Sequence, residues 1–181
     1  MRLVALLRGI NVGGRSVIKM AELRPAFEGL GLKDVRTYIQ SGNVVFTSEG
    51  SRRGLAAKIE KGLESKFGFR GRVFLFSADE LEEAAANNPF EPERRDKEQY
   101  CQLMFLEGEP TAERRDALLA MADDEYRFAI RDKVLYLAYA RALAGRRRTI
   151  DFEKVLGVAG TARTWKVVNE LIRLARSEAS D

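Results

Sequence analysis

Two β-rich runs meeting at a turn, in "DVRTYIQSGNVVFTS" (residues 34–48), restrict the fold more than any other feature of the chain. Valine, isoleucine, threonine and aromatic residues suit a pleated, half-buried surface, and Ser41-Gly42 between the runs reads as a tight hairpin turn. A hairpin commits its strands to antiparallel pairing. Folds whose consecutive strands run parallel through helical crossovers are thereby disfavoured.

The flanking segments complete a pattern. "RLVALLR" is a short buried strand. Met20, Leu23, Phe27 and Leu30 recur at helical spacing from Lys19 onward, and Gly31 stops that helix. Leu55, Ile59, Leu63 and Phe67 mark a second helix that ends near Gly68, and "RVFLFS" is a fourth strand. The order β-α-β-β-α-β is the ferredoxin-like arrangement.

The second half starts with an acidic helix at "SADELEEAAANN", closed by Pro89. A strand "YCQLMFL" follows, then a helix over 111–122 with Leu118, Leu119 and Ala122 facing inward. "EYRFAI" and "VLYLAY" pair across Arg131-Asp132-Lys133. The final helix places Trp165, Val168, Ile172 and Ala175 on one stripe. β-α-β-β therefore recurs, followed by helices and no evident last strand. The expected fold is α+β, with two ferredoxin-like (βαββ-type) halves, antiparallel sheets and a C-terminal helical segment. The halves are placed at 1–77 and 78–181, with the extended stretch Glu91–Glu98 as their connection, packed as one compact unit.

Composition excludes several chemistries. The chain has 181 residues, no histidine and one cysteine. Without histidine, Ser–His and Cys–His nucleophilic catalysis cannot operate, and the commonest metal ligand is missing. Cys101 can form no internal disulfide, and within its apolar run it reads as a small buried hydrophobe. No run of roughly 20 apolar residues suggests a membrane span, and Arg8 interrupts "LVALL" before a signal-peptide core develops. A cytoplasmic location is expected.

The net charge of +4 is unevenly spread. Residues 1–20 carry Arg2, Arg8, Arg15 and Lys19 and no acid, whereas 77–98 carry eight acids against three bases. Residues 141–176 carry nine bases against three acids, including Arg146-Arg147-Arg148. Basic ends that met in space would attract an anion.

"GINVGGRS" (9–16) has the spacing of a phosphate-gripping P-loop, G-x-x-x-x-G-K-[ST], with Arg15 in the lysine position. A forked guanidinium does not replace a compact ammonium there, and the hairpin that follows is foreign to P-loop folds. The topology still makes this loop interesting. In a β-α-β-β-α-β sheet the end of the first strand and the turn after the second share one edge. Arg8 and the 9–18 loop should therefore lie near Gln40, Ser41 and Asn43. Gly13 and Gly14 allow close backbone approach to a ligand, and Lys19 adds charge at the start of the next helix.

"LLRGINVGGRSVIKM", "TYIQSGNVVF", "NNPF" and "TARTW" together resemble the bacterial domain-of-unknown-function family 1697, over nearly the whole chain. The resemblance implies an α+β fold of ferredoxin-like units and assigns no activity. Arg8, Gly9, Asn11, Gly13, Gly14, Lys19, Met20, Gln40, Ser41, Gly42 and Asn43 fall on the family's N-terminal motifs. Arg163 and Trp165 fall on a C-terminal T-x-R-N-W-type motif, from which the chain departs at Thr164 and Lys166. Trp165 reads as a core anchor, while Arg163 suits a loop that presents a guanidinium to phosphate or carboxylate.

The leading expectation is a small cytoplasmic binding module for a phosphorylated or other anionic small molecule. Its ligand-binding set is Arg8, Asn11, Gly13, Gly14, Lys19, Gln40, Ser41, Asn43, Arg163 and Trp165. The alternative is a single-stranded nucleic-acid-binding protein stacking bases on Tyr38, Tyr136 and Tyr139. That reading lacks the "[KR]-G-[FY]-[GA]-F" signature and faces an acidic middle. A magnesium-dependent nucleotide transferase or hydrolase ranks third, because no D-x-D pair or clustered carboxylates stand out. No catalytic residue, metal site or cofactor is assigned, and oligomeric state is left open.

Overall fold

The computed structural model describes residues 1–10, 18–90, 99–140 and 150–177. It forms two compact units, Met1–Glu82 with Glu170–Asp181, and Glu83–Asn169.

In the first unit, β1 (Arg2–Leu7), α1 (Met20–Glu28), β2 (Lys33–Tyr38), β3 (Asn43–Thr47), α2 (Leu55–Phe67) and β4 (Val73–Phe76) follow the expected order. The sheet runs β2-β3-β1-β4, and every neighbouring pair is antiparallel. β1 is central, so five of its six residues are buried. That is why "LVALL" is continuously aliphatic rather than alternating. Leu3, Ala5 and Leu7 share a core with Leu23 and Phe27 of α1 and Ile59 and Leu63 of α2. Phe27 meets Phe46 of β3 edge to face, with ring centroids 5.6 Å apart. Burying a side chain such as Phe27 or Leu63 contributes roughly 2 kcal/mol.

α3 (Ala78–Ala86) begins with Ser77 and Glu80 in reciprocal bonds. The Ser77 amide donates to the Glu80 carboxylate at 2.7 Å, and the Glu80 amide donates to Ser77 Oγ at 3.2 Å. This S-x-x-E capping box satisfies two donors that helix geometry leaves open. The Arg52 guanidinium holds the same carboxylate with both contacts at 2.8 Å.

The second unit repeats the plan with β5 (Gln99–Leu106), α4 (Ala112–Leu119), β6 (Tyr126–Arg131), β7 (Val134–Ala140), α5 (Phe152–Leu156) and β8 (Gly160–Thr164). Its sheet order, β6-β7-β5-β8, is that of the first sheet, again with antiparallel neighbours. β8 is the last strand that the sequence did not reveal. "GTART" has no aliphatic run, yet it pairs with β5 from Gln102↔Thr164 to Leu106↔Gly160. α5 is equally inconspicuous at five residues, with Asp151 capping it by accepting from the Lys154 amide at 3.1 Å. Arg114 of α4 donates to the Lys154 and Val155 carbonyls at 2.9 and 3.2 Å, fastening the end of α5 to α4. Each β-α-β-β-α-β set is followed by a helix, α3 in one case and α6 (Trp165–Arg176) in the other.

Several expectations need correction. The turn after β2 holds four residues, Ile39 to Gly42, because Tyr38 pairs with Asn43. α4 stops at Leu119, so Leu118 is buried while Leu119 and Ala122 are exposed. The buried stripe of α6 is Val168, Leu171 and Ala175, with Trp165 and Ile172 only half-buried. The division between the compact units falls within α3, and Glu170 onward joins the first unit. The Arg176 guanidinium explains that assignment by binding Asp79 and Glu82, and Arg2 donates to the Leu174 carbonyl at 3.3 Å. The expected connection at 91–98 lies outside the described residues.

Candidate functional site

The end of β1 is where the first unit gathers its candidate residues. The Leu7 amide donates to the Gly42 carbonyl and the Arg8 amide to the Arg72 carbonyl, each at 2.8 Å. The chain leaving β1 is thus fastened to the hairpin turn on one side and to the approach to β4 on the other. Ile10 and Ile18, which flank the glycine-rich stretch, are both buried in the core. Asn11, Gly13 and Gly14 themselves lie outside the described residues, as do Arg15 and Ser16.

The hairpin turn is built to close on this spot. Gly42 has φ +72°, and a Cβ placed on it would lie 2.4 Å from Ile10 Cγ2 and 2.9 Å from Leu7 Cβ. Only glycine fits that approach. Asn43 is fully buried, and its Nδ2 donates to the Tyr38 carbonyl at 3.0 Å and to Ser41 Oγ at 2.9 Å. Ser41 and Asn43 therefore shape the turn internally. Gln40 is exposed at its tip. Ile39 is also exposed and has φ +47°, a left-handed conformation that a β-branched side chain adopts at a cost.

The basic residues take different positions. Arg8 is half-buried just past β1. Lys19 is exposed at the N-cap of α1, where its carbonyl accepts from the Glu22 amide at 2.8 Å. Arg72, which the sequence did not single out, joins the group because β4 starts beside the end of β1, with Leu7 opposite Val73. Topology alone could have revealed it. Glu60 holds this corner, accepting from the Val73 amide at 2.9 Å with the Arg72 guanidinium 3.9 Å away.

Arg163 and Trp165 belong to the second unit. Arg163 is not in a loop but in strand β8, opposite Leu103, and it is buried. Its Nη1 donates to Thr161 Oγ1 and to the Ala162 carbonyl, each at 2.8 Å. Burial lowers its pKa to about 10, which leaves it charged at neutral pH. Trp165 opens α6 and its carbonyl accepts from Asn169 Nδ2 at 2.9 Å.

The tyrosines considered for base stacking take other positions. Tyr136 and Tyr139 are buried, and Tyr38 is half-buried. Tyr139 stacks instead on Tyr100 and Tyr126, with centroids 5.5 and 5.7 Å away. The Tyr136 hydroxyl donates to the Ala84 carbonyl at 2.8 Å, and burial pushes its pKa up to about 12. Cys101 is buried and in no disulfide, with Asn88 Nδ2 at 3.2 Å from its sulfur. Among the described residues no group of three or more Cys, Asp or Glu side chains could hold a metal ion, and no helix is long and apolar enough to cross a membrane. Arg146-Arg147-Arg148 lie outside the described residues.

Comparison with solved structures finds a conserved bacterial protein, SP0830 from Streptococcus pneumoniae. It is 24% identical, with a TM-score of 0.69 over 97% of this chain and 98% of that one, a likeness of fold. No curated protein matches the chain. The model of one family, described as protein of unknown function (DUF1697), matches residues 1–136, a span that contains the β1 edge and excludes Arg163 and Trp165. The chain belongs to the DUF1697 family of proteins of unknown function.

Proposed function

We propose that the protein is a small cytoplasmic binding module built of ferredoxin-like units, and that the β1 edge of its first unit receives a phosphorylated or other anionic small molecule. One observation carries this reading: the paired 2.8 Å bonds Leu7 N–Gly42 O and Arg8 N–Arg72 O, which bring three chain segments together where the glycine-rich stretch begins. Arg8 and Lys19 supply positive charge at this edge, Gln40 stands exposed on the adjoining turn, and Ser41 and Asn43 fix that turn. Charge-assisted bonds of this kind hold phosphate and carboxylate oxygens strongly.

Calorimetric titration with nucleotides and sugar phosphates tests the reading. Arg8→Ala should weaken binding of the responsive anion by about tenfold or more, the loss of one charge-assisted contact. Its thermal midpoint should stay close to the parent's, because the fastening at Arg8 is made by backbone. Undiminished affinity in Arg8→Ala, or outright unfolding, counts against the site.

A further inference from the structure

β2 and β4 are the outer strands of the first sheet, and β6 and β8 those of the second. An outer strand offers unpaired amides and carbonyls to any extended chain, and proteins commonly blunt such edges. Three of them are blunted here. β2 shifts register between Lys33 and Arg36, with Asp34 at φ +50°. On β4 the outward Val73 amide donates to Glu60 at 2.9 Å, and the Leu75 carbonyl accepts from Arg52. On β8 the Gly160 amide donates to Glu153 at 3.2 Å, and the Ala162 carbonyl accepts from Arg163 at 2.8 Å.

β6 is different. It pairs with β7 in an unbroken register, from Tyr126↔Tyr139 to Arg131↔Val134. Only Asp132 and Lys133 join the two strands, so Arg131 and Val134 form a hydrogen-bonded pair. Bonding alternates from there. Arg127, Ala129 and Arg131 bond to β7, and the amides and carbonyls of Tyr126, Phe128 and Ile130 point outward. Asp123 covers Tyr126: its Oδ1 accepts from the Tyr126 amide at 2.7 Å, and its amide donates to the Tyr126 carbonyl at 3.0 Å. The outward groups of Phe128 and Ile130 make no hydrogen bond among the described residues.

The neighbouring side chains specify the partner. Arg127, Ala129 and Arg131 alternate with Phe128 and Ile130, so they share one face of the sheet. Both arginines are exposed. The Arg127 guanidinium lies 5.1 Å from the centre of the Phe90 ring, and Arg131 makes no ion pair among the described residues. A second copy is a poor occupant. Antiparallel self-pairing that engaged Phe128 and Ile130 would centre on Ala129 and set Arg127 of each copy opposite Arg131 of the other. Like charges so placed destabilise a strand pair. Acidic residues four apart on an extended chain would face both arginines instead.

We propose that the β6 edge takes an acidic, extended peptide segment of a partner protein as an added antiparallel strand. The Phe128 and Ile130 backbone supplies the pairing, and Arg127 and Arg131 select two carboxylates. The inference does not rest on the reading of the β1 edge.

Blocked peptides Glu-Val-Thr-Val-Glu and Lys-Val-Thr-Val-Lys are the probes, titrated into the full chain and followed by the NMR shifts of its amides. Before peptide is added, the Phe128 and Ile130 amides should exchange with solvent faster than those of Arg127 and Ala129. The acidic peptide should shift the Phe128 and Ile130 amides saturably, and the basic one should not. Arg131→Glu should fold normally and weaken the acidic peptide by about tenfold or more. Ile130→Pro removes only an outward amide and leaves the β7 ladder intact, and it should abolish binding. Slow exchange at Phe128 and Ile130, no shift at these amides, an equal response to both peptides, or undiminished binding by Arg131→Glu would overturn the proposal. Self-association that protects these amides would also overturn it, by making a second copy the occupant.

Discussion

The Leu7 amide lies 2.8 Å from the Gly42 carbonyl, and the same Gly42 leaves no room for a Cβ against Ile10 and Leu7. One residue thus fixes both the bonding and the spacing between the end of β1 and the hairpin turn.

Gly42→Ala should therefore be among the most damaging single substitutions in the first unit. The methyl would sit 2.4 Å from Ile10 Cγ2 on a backbone at φ +72°. Overpacking costs about 1–3 kcal/mol and a left-handed alanine about 1–2 kcal/mol, so a loss of roughly 2–5 kcal/mol is expected. Urea unfolding measures it. An unchanged midpoint would mean that the turn stands clear of β1.

Ile39 gives the opposite expectation. It is 48% exposed and left-handed, so it gains little burial in return for its strain. Ile39→Asn should raise stability by about 0.5–1 kcal/mol, since asparagine tolerates this conformation. If the variant is instead less stable, Ile39 makes a packing contribution that its exposure conceals.

The Glu80 carboxyl couples the α3 cap to pH. Burial pushes its pKa up, but the Arg52 guanidinium and the Ser77 amide outweigh that and hold it below the usual carboxylate value. A folded-state pKa below the unfolded one stabilises above the unfolded value and loses that contribution as pH falls through the folded value. Glu80→Gln should thus cost about 1 kcal/mol at most at neutral pH, discounted because the side chain is 43% exposed. The difference from the parent should vanish in acid below the carboxylate range. A penalty that persists unchanged there would assign the effect to packing.

The first unit was legible in the sequence because its patterns are local. Aliphatic β1, the helical spacing of Leu55, Ile59 and Leu63, and the hairpin each announce themselves within a few residues. β8 was not legible, since its place depends on pairing with β5 across more than fifty residues and its buried side chains include Thr161 and Arg163. Tyr136 and Tyr139 misled for a related reason. Their types suit either an exposed stacking face or a core, and the buried contacts with Ala84, Tyr100 and Tyr126 decide between these. The meeting of Arg8 with the hairpin turn followed from topology, whereas the internal role of Asn43 depended on the turn having four residues.

The measurement to make first is a calorimetric titration of the parent protein and of Arg8→Ala against nucleotides, sugar phosphates and a short single-stranded RNA at low and moderate salt. Saturable binding of one small anion that Arg8→Ala weakens by about tenfold or more, with little change in melting, is the predicted result. RNA binding alone, falling steeply with salt through counterion release, or no binding by any small anion, would contradict it.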